Sequence, residues 1–364
     1  MSLFAHAMRL HRQYPDDPLP RYGEPLPDDA SHPPRRRIPE PEDRRLVGAD
    51  VAAVLDAYFA NPMSTPEELV HAFHHLYPPS NSNQHVAAAA LRADRQRVQE
   101  TGRWLVRHST DRCSVDVGLA LLAHAWSAEN VPLVQTIGLL SRQFGPRAAE
   151  TLRGRGGTTD ALLWLARRVT IWGRVHTVEA LLDLGGAADR WLLRHACDGS
   201  PLDGYFAGTV ATRAHLHAAI TSPAVDDDLV DHTGRLLAVM TRCHGMGLTI
   251  EHYPPARAVL AAHAGHLGRQ TPGLERYLNA AVVADHLAEL PPDGREWIGA
   301  DREPILARYL GVLQSDEWST AVRLMLDRSN EYHAWLAGTT AARLRLRAFD
   351  GFGPSADIAP TGTT

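Results

Sequence analysis

Lysine is absent from this chain: all 37 basic residues among its 364 are arginine. That excludes a Schiff-base lysine, a lysine general base and the phosphate-binding lysine of a P-loop. Cysteine is scarce as well. Cys113, Cys197 and Cys243 are far apart and odd in number, which argues against a disulfide framework or a zinc ribbon. A reducing cytoplasm is the expected compartment. No run approaches the ~18 apolar residues needed to cross a bilayer, so no membrane partner is expected. Met1–Tyr14 breaks its apolar residues with Arg9, Arg12 and two histidines, unlike a secretory leader. Alternating β-branched runs are missing, as are Gly-x-Ser-x-Gly and any Cys–His pair at a recognisable spacing.

What is present is helical periodicity with short breaks. Met1–Gln13 places Leu3, Phe4, Ala7, Met8 and Leu10 near one side of a short helix. Residues 14–45 differ in kind, with nine prolines between Pro15 and Pro41 and the triplet Arg35, Arg36, Arg37. Proline removes backbone donors and fixes φ, so this stretch reads as an extended arm. Helices are then expected over Asp50–Ala60 and from Pro66 to about Tyr77. The second start is marked by Ser64 with Glu67, or Thr65 with Glu68, as a capping box. One long helix is expected from Gln84 to Glu100, then another over Arg103–His108.

From Ser114 onward, apolar segments of 10–16 residues alternate with breaks such as Gly145-Pro146, Gly154–Gly157 and Gly185-Gly186. Asp160–Thr170 and Arg174–Leu184 carry apolar residues at i, i+3, i+4 and i+7. The pattern continues through Asp226–Thr241, Pro254–His266, Pro272–Leu290, Pro304–Leu313, Glu317–Leu326 and Glu331–Phe349. The expected class is all-α, divided into a short helix (1–13), a Pro-rich arm (14–45), a helical repeat region (46–220), a further helical region (221–349) and a disordered tail (350–364).

Val134–Leu140 and Val175–Leu181 share V-x-T-[I/V]-x-x-L at an offset of 41 residues. Matching Val134/Val175, Thr136/Thr177, Ile137/Val178 and Leu140/Leu181, the chain resembles the HEAT and armadillo class of α-solenoid, whose helical pairs repeat every ~40–47 residues. The resemblance implies stacked helical pairs and a groove that binds a partner rather than a reaction centre.

Charge is unevenly placed. Between Arg142 and Arg174, seven arginines face two acids, a net of +5; between Ile220 and Glu331, ten arginines face sixteen acids, a net of −6. The candidate binding surface is therefore Arg153, Arg155, Trp164, Arg167, Arg168, Trp172, Arg174 and His176, in a groove around residues 130–220. The expected function is a non-catalytic scaffold or adaptor for a protein or peptide, with no catalytic residue, cofactor or metal. Nucleic acid is the alternative partner, since arginine neutralises phosphate. This arrangement resembles HEAT-like alkylpurine DNA glycosylases, which line such a groove with tryptophan beside a catalytic aspartate. Near Trp172 this chain offers His176 and Glu179 instead.

Three other constellations are weighed. His71, His74 and His75 fall at i, i+3 and i+4, so His71 and His75 share a helix face, without the glutamate of His-Glu-x-x-His or an identified third ligand. Asp227, Asp228 and Asp231 form D-D-x-x-D, with Arg308-Tyr309 downstream, and so resemble class I terpene synthases, in which carboxylates at that spacing hold magnesium. The family's second metal motif is missing, and Asp226–Asp228 also reads as a helix start favoured by the dipole. Arg153–Thr159 is glycine-rich but follows no strand, so it reads as an inter-helix turn.

Overall fold

The computed structural model describes residues 1–32, 44–73, 76, 78–79, 82–290 and 296–352, and among these no strand occurs. The chain is all-α and built from packed helix pairs. His74 and His75, the side chain of His71, Arg35–Arg37 and residues 353–364 of the expected tail lie outside the described residues. No described helix is long and apolar enough to cross a membrane. The chain divides into two compact units, Met1–Ala188 and the residues from Asp189 onward.

The first unit holds α1 (Leu3–Gln13), α2 (Ala49–Ala60), α3 (Pro66–Phe73), α4 (Gln84–Arg92), α5 (Arg95–His108), α6 (Arg112–His124), α7 (Val131–Gly138), α8 (Gly145–Leu152), α9 (Thr159–Ala166) and α10 (Ile171–Leu184). Short polar side chains set several of the starts. Asn83, Asp94 and Asp111 each accept a first-turn backbone N–H of α4, α5 and α6, at 2.9–3.2 Å. A cap of this kind stabilises by about 1 kcal/mol. Asp94 also explains why the single helix expected over Gln84–Glu100 is two: its carboxylate offers Arg97 N–H a local partner, and the chain turns at Ala93.

Helices of this unit pack on their sequence neighbours and on the next but one. α6, α8 and α10 form one row, which α4 extends, and α5, α7 and α9 form the other. Val51, Leu55, Phe73, Leu105 and Leu121 are fully or almost fully buried in the N-terminal core. Each such side chain contributes roughly 1.5–3 kcal/mol of burial. Arg97 closes the end of α2: its guanidinium lies 4.8 Å from the Tyr58 ring centroid and donates to the carbonyls of Phe59 and Asn61.

The two V-x-T segments lie on α7 and α10, in different rows. They are three helices apart, whereas equivalent helices of a pairwise repeat are separated by an even number. What they share is local. Thr136 and Thr177 each donate a hydroxyl hydrogen bond to the carbonyl four residues earlier, at 2.7 Å.

The described part of the Pro-rich arm docks on its own unit. α1 packs on α5 and α7, and His6 Nε2 lies 2.8 Å from the carbonyl of Gly23. Arg112, at the first position of α6, donates from Nε and Nη2 to both Asp28 oxygens at 2.9 and 2.7 Å.

The second unit holds α11 (Asp189–His195), α12 (Ala207–Arg213), α13 (Leu216–Ile220), α14 (Asp227–Met240), α15 (Ala256–Leu267), α16 (Leu274–Glu289), α17 (Arg302–Leu313), α18 (Asp316–Met325) and α19 (Glu331–Leu336). The boundary expected after residue 220 falls inside this unit, between α13 and α14. α14 packs on α11 and α16, and α16 on α18; α13, α15 and α17 follow one another beside them. The helix expected over Glu331–Phe349 is shorter: α19 passes into a π turn at Ala337–Ala341, and Arg345, at φ +54°, ends the helical run.

Candidate functional site

The candidate residues of the arginine-rich stretch all lie in the first unit, where most of them hold the chain's own elements. Arg153 pairs with Asp183 of α10. Arg155 donates to the carbonyl of Ala123 and faces the Trp126 ring. Arg168 lies 4.5 Å from the Trp164 ring centroid and donates to the Pro15 carbonyl and the Asp16 carboxylate at 2.8 and 2.9 Å. The other edge of Trp164 meets His11 of α1. Arg174 is buried and donates to the carbonyl of Ala166. His176 pairs with Glu179, and Trp172 stands exposed beside it. Arg167 is exposed, and among the described residues it forms no ion pair. Most arginines of the +5 stretch are thus engaged by carbonyls and carboxylates of their own unit.

The compact Trp172–Glu179 segment has a packing reason. A Cβ on Gly173 would lie 2.8 Å from the carbonyl oxygen of Ser141, and one on Gly145 would lie 2.6 Å from the Gly173 Cα. Glycine is required where α8 and α10 cross backbone to backbone.

Two carboxylates of the D-D-x-x-D run, and Asp226 just before it, are similarly engaged. Asp226 caps α14 and pairs with Arg194, which holds its carboxyl below the usual range. Asp231 receives Arg276 Nε at 2.6 Å and Nη2 at 3.0 Å, and Asp227 lies 3.5 Å from Arg276. Tyr309 is buried against His263 rather than beside the acids. Asp226, Asp227 and Asp231 thus each meet a guanidinium group.

A cavity of about 140 Å³ in the first unit joins Asp116, His124, Arg147, Glu150 and Arg155. Burial, and next Arg155, pushes the His124 imidazole below its ordinary pKa. Arg147 donates to Glu150 at 2.8 Å, and Gln143 donates to Asp116 at 3.1 Å. The space is that of about five waters; Arg147 and Glu150 pair with each other, while Arg155 donates to the carbonyl of Ala123.

The larger candidate is a groove of about 500 Å³ in the second unit. α14 and α16 form its walls, with Arg235, Val239 and Arg242 on one side and Glu275, Leu278 and Asn279 on the other. Arg235 pairs with Glu275 across it and donates to the carbonyl of Cys197 at 2.8 Å. The turn Gly199–Gly204 closes one end. It packs tightly there, since a Cβ on Gly247 would lie 2.2 Å from the carbonyl oxygen of Gly204.

At the rim, Arg242 lies 5.0 Å from the centroid of Trp335, whose ring stacks on Tyr332 at 5.9 Å. Trp335 is 49% exposed, Tyr332 43% and Met246 37%. A guanidinium held over an exposed aromatic pair can meet a carboxylate or an apolar side chain. The described lining includes no histidine, and Cys243 is buried, its thiol pushed up by desolvation and directed at the carbonyl of Leu248.

No sequence signal marked this groove. Trp335 and Tyr332 lie on α19, about ninety residues from Arg242. Only the folded chain brings them together. Protein-family models, curated proteins and solved structures were compared with the chain, and none matches.

Proposed function

We propose that this chain is a non-catalytic helical interaction module of the HEAT-like solenoid kind, which binds an extended protein or peptide segment through the groove of its second unit. One observation carries the reading: Arg242, Tyr332 and Met246 line a groove of about 500 Å³ and are exposed, with the exposed Trp335 ring against Arg242 and Tyr332. Arginine, tryptophan, tyrosine and methionine are the types enriched in interface cores, where they concentrate binding energy. The two rows of next-but-one packing support the solenoid form. Three buried free cysteines support a reducing, cytoplasmic setting. The groove differs from the one around residues 130–220 that composition suggests, because the arginines of that stretch are engaged within their own unit.

Selection of a displayed random-peptide library on the full chain tests this. Enriched peptides should carry an acidic residue beside an apolar one, and lose about tenfold or more in affinity toward Trp335→Ala or Arg242→Glu, as hot-spot residues do. Failure to enrich any peptide, or affinities indifferent to both variants, overturns the proposal.

A further inference from the structure

We infer that His32, Asp111 and Cys113 form a site for one divalent transition-metal ion of the zinc class, which clips the arm onto the start of α6. Their candidate ligand atoms, an imidazole nitrogen, a carboxylate oxygen and the thiol sulfur, all lie within 4.8 Å of one another. His32 Nδ1 is 3.9 Å from Asp111 Oδ2. A tetrahedral ion with ligand bonds of about 2.0–2.3 Å sets its ligands roughly 3.4–3.8 Å apart, so closing the site takes about an ångström of contraction. A donor set of one nitrogen, one sulfur and one oxygen suits zinc or cobalt(II), and is foreign to calcium and magnesium, which take oxygen alone.

The surroundings hold these groups in place. Asp111 and Cys113 are buried at the first turn of α6, where Asp111 accepts the backbone N–H of Ser114 at 3.2 Å. His32 ends the turn that begins at Asp28, its own N–H donating to the Asp28 carbonyl at 2.7 Å. The Asp28 carboxylate is in turn clamped by Arg112, the residue between the two α6 ligands. Supporting contacts of this kind orient ligands before a metal arrives.

Charge also favours an ion. One thiolate and one carboxylate cancel its double charge, so no net positive charge faces the helix dipole. On binding, the metal–sulfur bond replaces the sulfur–hydrogen bond and the proton leaves to solvent. Three protein ligands leave the fourth position to water.

The test uses the full chain without an affinity tag, stripped with chelator and titrated with cobalt(II) and then zinc. Twenty histidines offer weak sites elsewhere, so the readout is the thiolate-to-cobalt charge-transfer band, which imidazole alone does not produce. The band should saturate at one equivalent, bleach on adding zinc, vanish in Cys113→Ser and persist in Cys197→Ser and Cys243→Ser. His32→Ala should weaken cobalt binding about tenfold or more. Zinc should raise the melting temperature of the wild type and not of His32→Ala, which keeps the test decisive should Cys113→Ser fail to fold. No charge-transfer band at excess cobalt, a band that survives Cys113→Ser, or zinc stabilisation untouched by His32→Ala overturns the site.

Discussion

Arg112 and Asp28, 84 residues apart in sequence, meet through Nε and Nη2 of the guanidinium on both carboxylate oxygens, at 2.9 and 2.7 Å. The Asp28 side chain is 2% exposed and that of Arg112 16%, so water screens the pair poorly. Asp28→Ala leaves Arg112 with only the more exposed Asp29 and should cost about 3 kcal/mol, the penalty of stripping a buried charge of its partner. Urea unfolding measures the loss. Limited proteolysis should also cut the arm faster in the variant, and an unchanged cleavage rate would separate the arm's docking from this pair.

Gly173 should not tolerate a side chain. The Ser141 carbonyl oxygen lies 2.8 Å from where a Cβ would stand, and it belongs to backbone that cannot swing aside. Gly173→Ala is expected to destabilise by about 1–3 kcal/mol through overpacking. A thermal melt of the variant against wild type settles the sign. A gain in stability would mean that the helix preference for alanine outweighs the clash.

Stability should fall with acid in a window set by His263. The imidazole is buried, lies 2.7 Å from the Tyr309 hydroxyl, and is pushed down to about 4 by desolvation. A depressed pKa means that the unfolded chain takes up the proton first. Its contribution is therefore complete above about pH 6.5 and is lost as pH falls toward 4. The loss amounts to about 3 kcal/mol at 1.36 kcal/mol per unit. The lowered pKa of His124 adds a term of the same sign. Urea midpoints across this range should show the slope in wild type, and a shallower one in His263→Gln.

Two adjacent arginines should behave differently. Arg168 stacks on Trp164 and holds Pro15 and Asp16, so Arg168→Ala should cost about 1–2 kcal/mol through lost hydrogen bonds and the ring contact. Arg167 is exposed, and Arg167→Ala should stay within about 0.5 kcal/mol. Duplex DNA is the sharper discriminator. With most of the arginine-rich stretch engaged internally, no binding with a steep salt dependence is expected. Tight low-salt binding lost when Arg167→Ala and Arg168→Ala are combined would favour the nucleic-acid reading.

The helical class and many helix positions were legible before any coordinate, because the apolar spacing of Asp226–Thr241 or Pro272–Leu290 is a local property. Breaks governed by one side chain were less so. Asp94 reads as a helix-interior residue until its carboxylate is seen taking the N–H of Arg97. The V-x-T echo is a local feature too. Threonine bonding back to a carbonyl recurs on any helix, so α7 and α10 share it although they stand in different rows.

Residue content and order alone determined that lysine chemistry is excluded, that the chain is helical and that charge gathers between Arg142 and Arg174. Tertiary structure alone decided what that charge does. Arg168 reaches Asp16 across 152 residues, and Arg174 turns inward to the carbonyl of Ala166. The same holds for the groove, where Arg242 meets Trp335, and for the cluster of His32, Asp111 and Cys113. The reason is physical. Helix formation is set by residues within four positions, whereas a guanidinium or a thiol acquires its role from whichever carbonyl, ring or carboxylate the packing brings within a few ångströms.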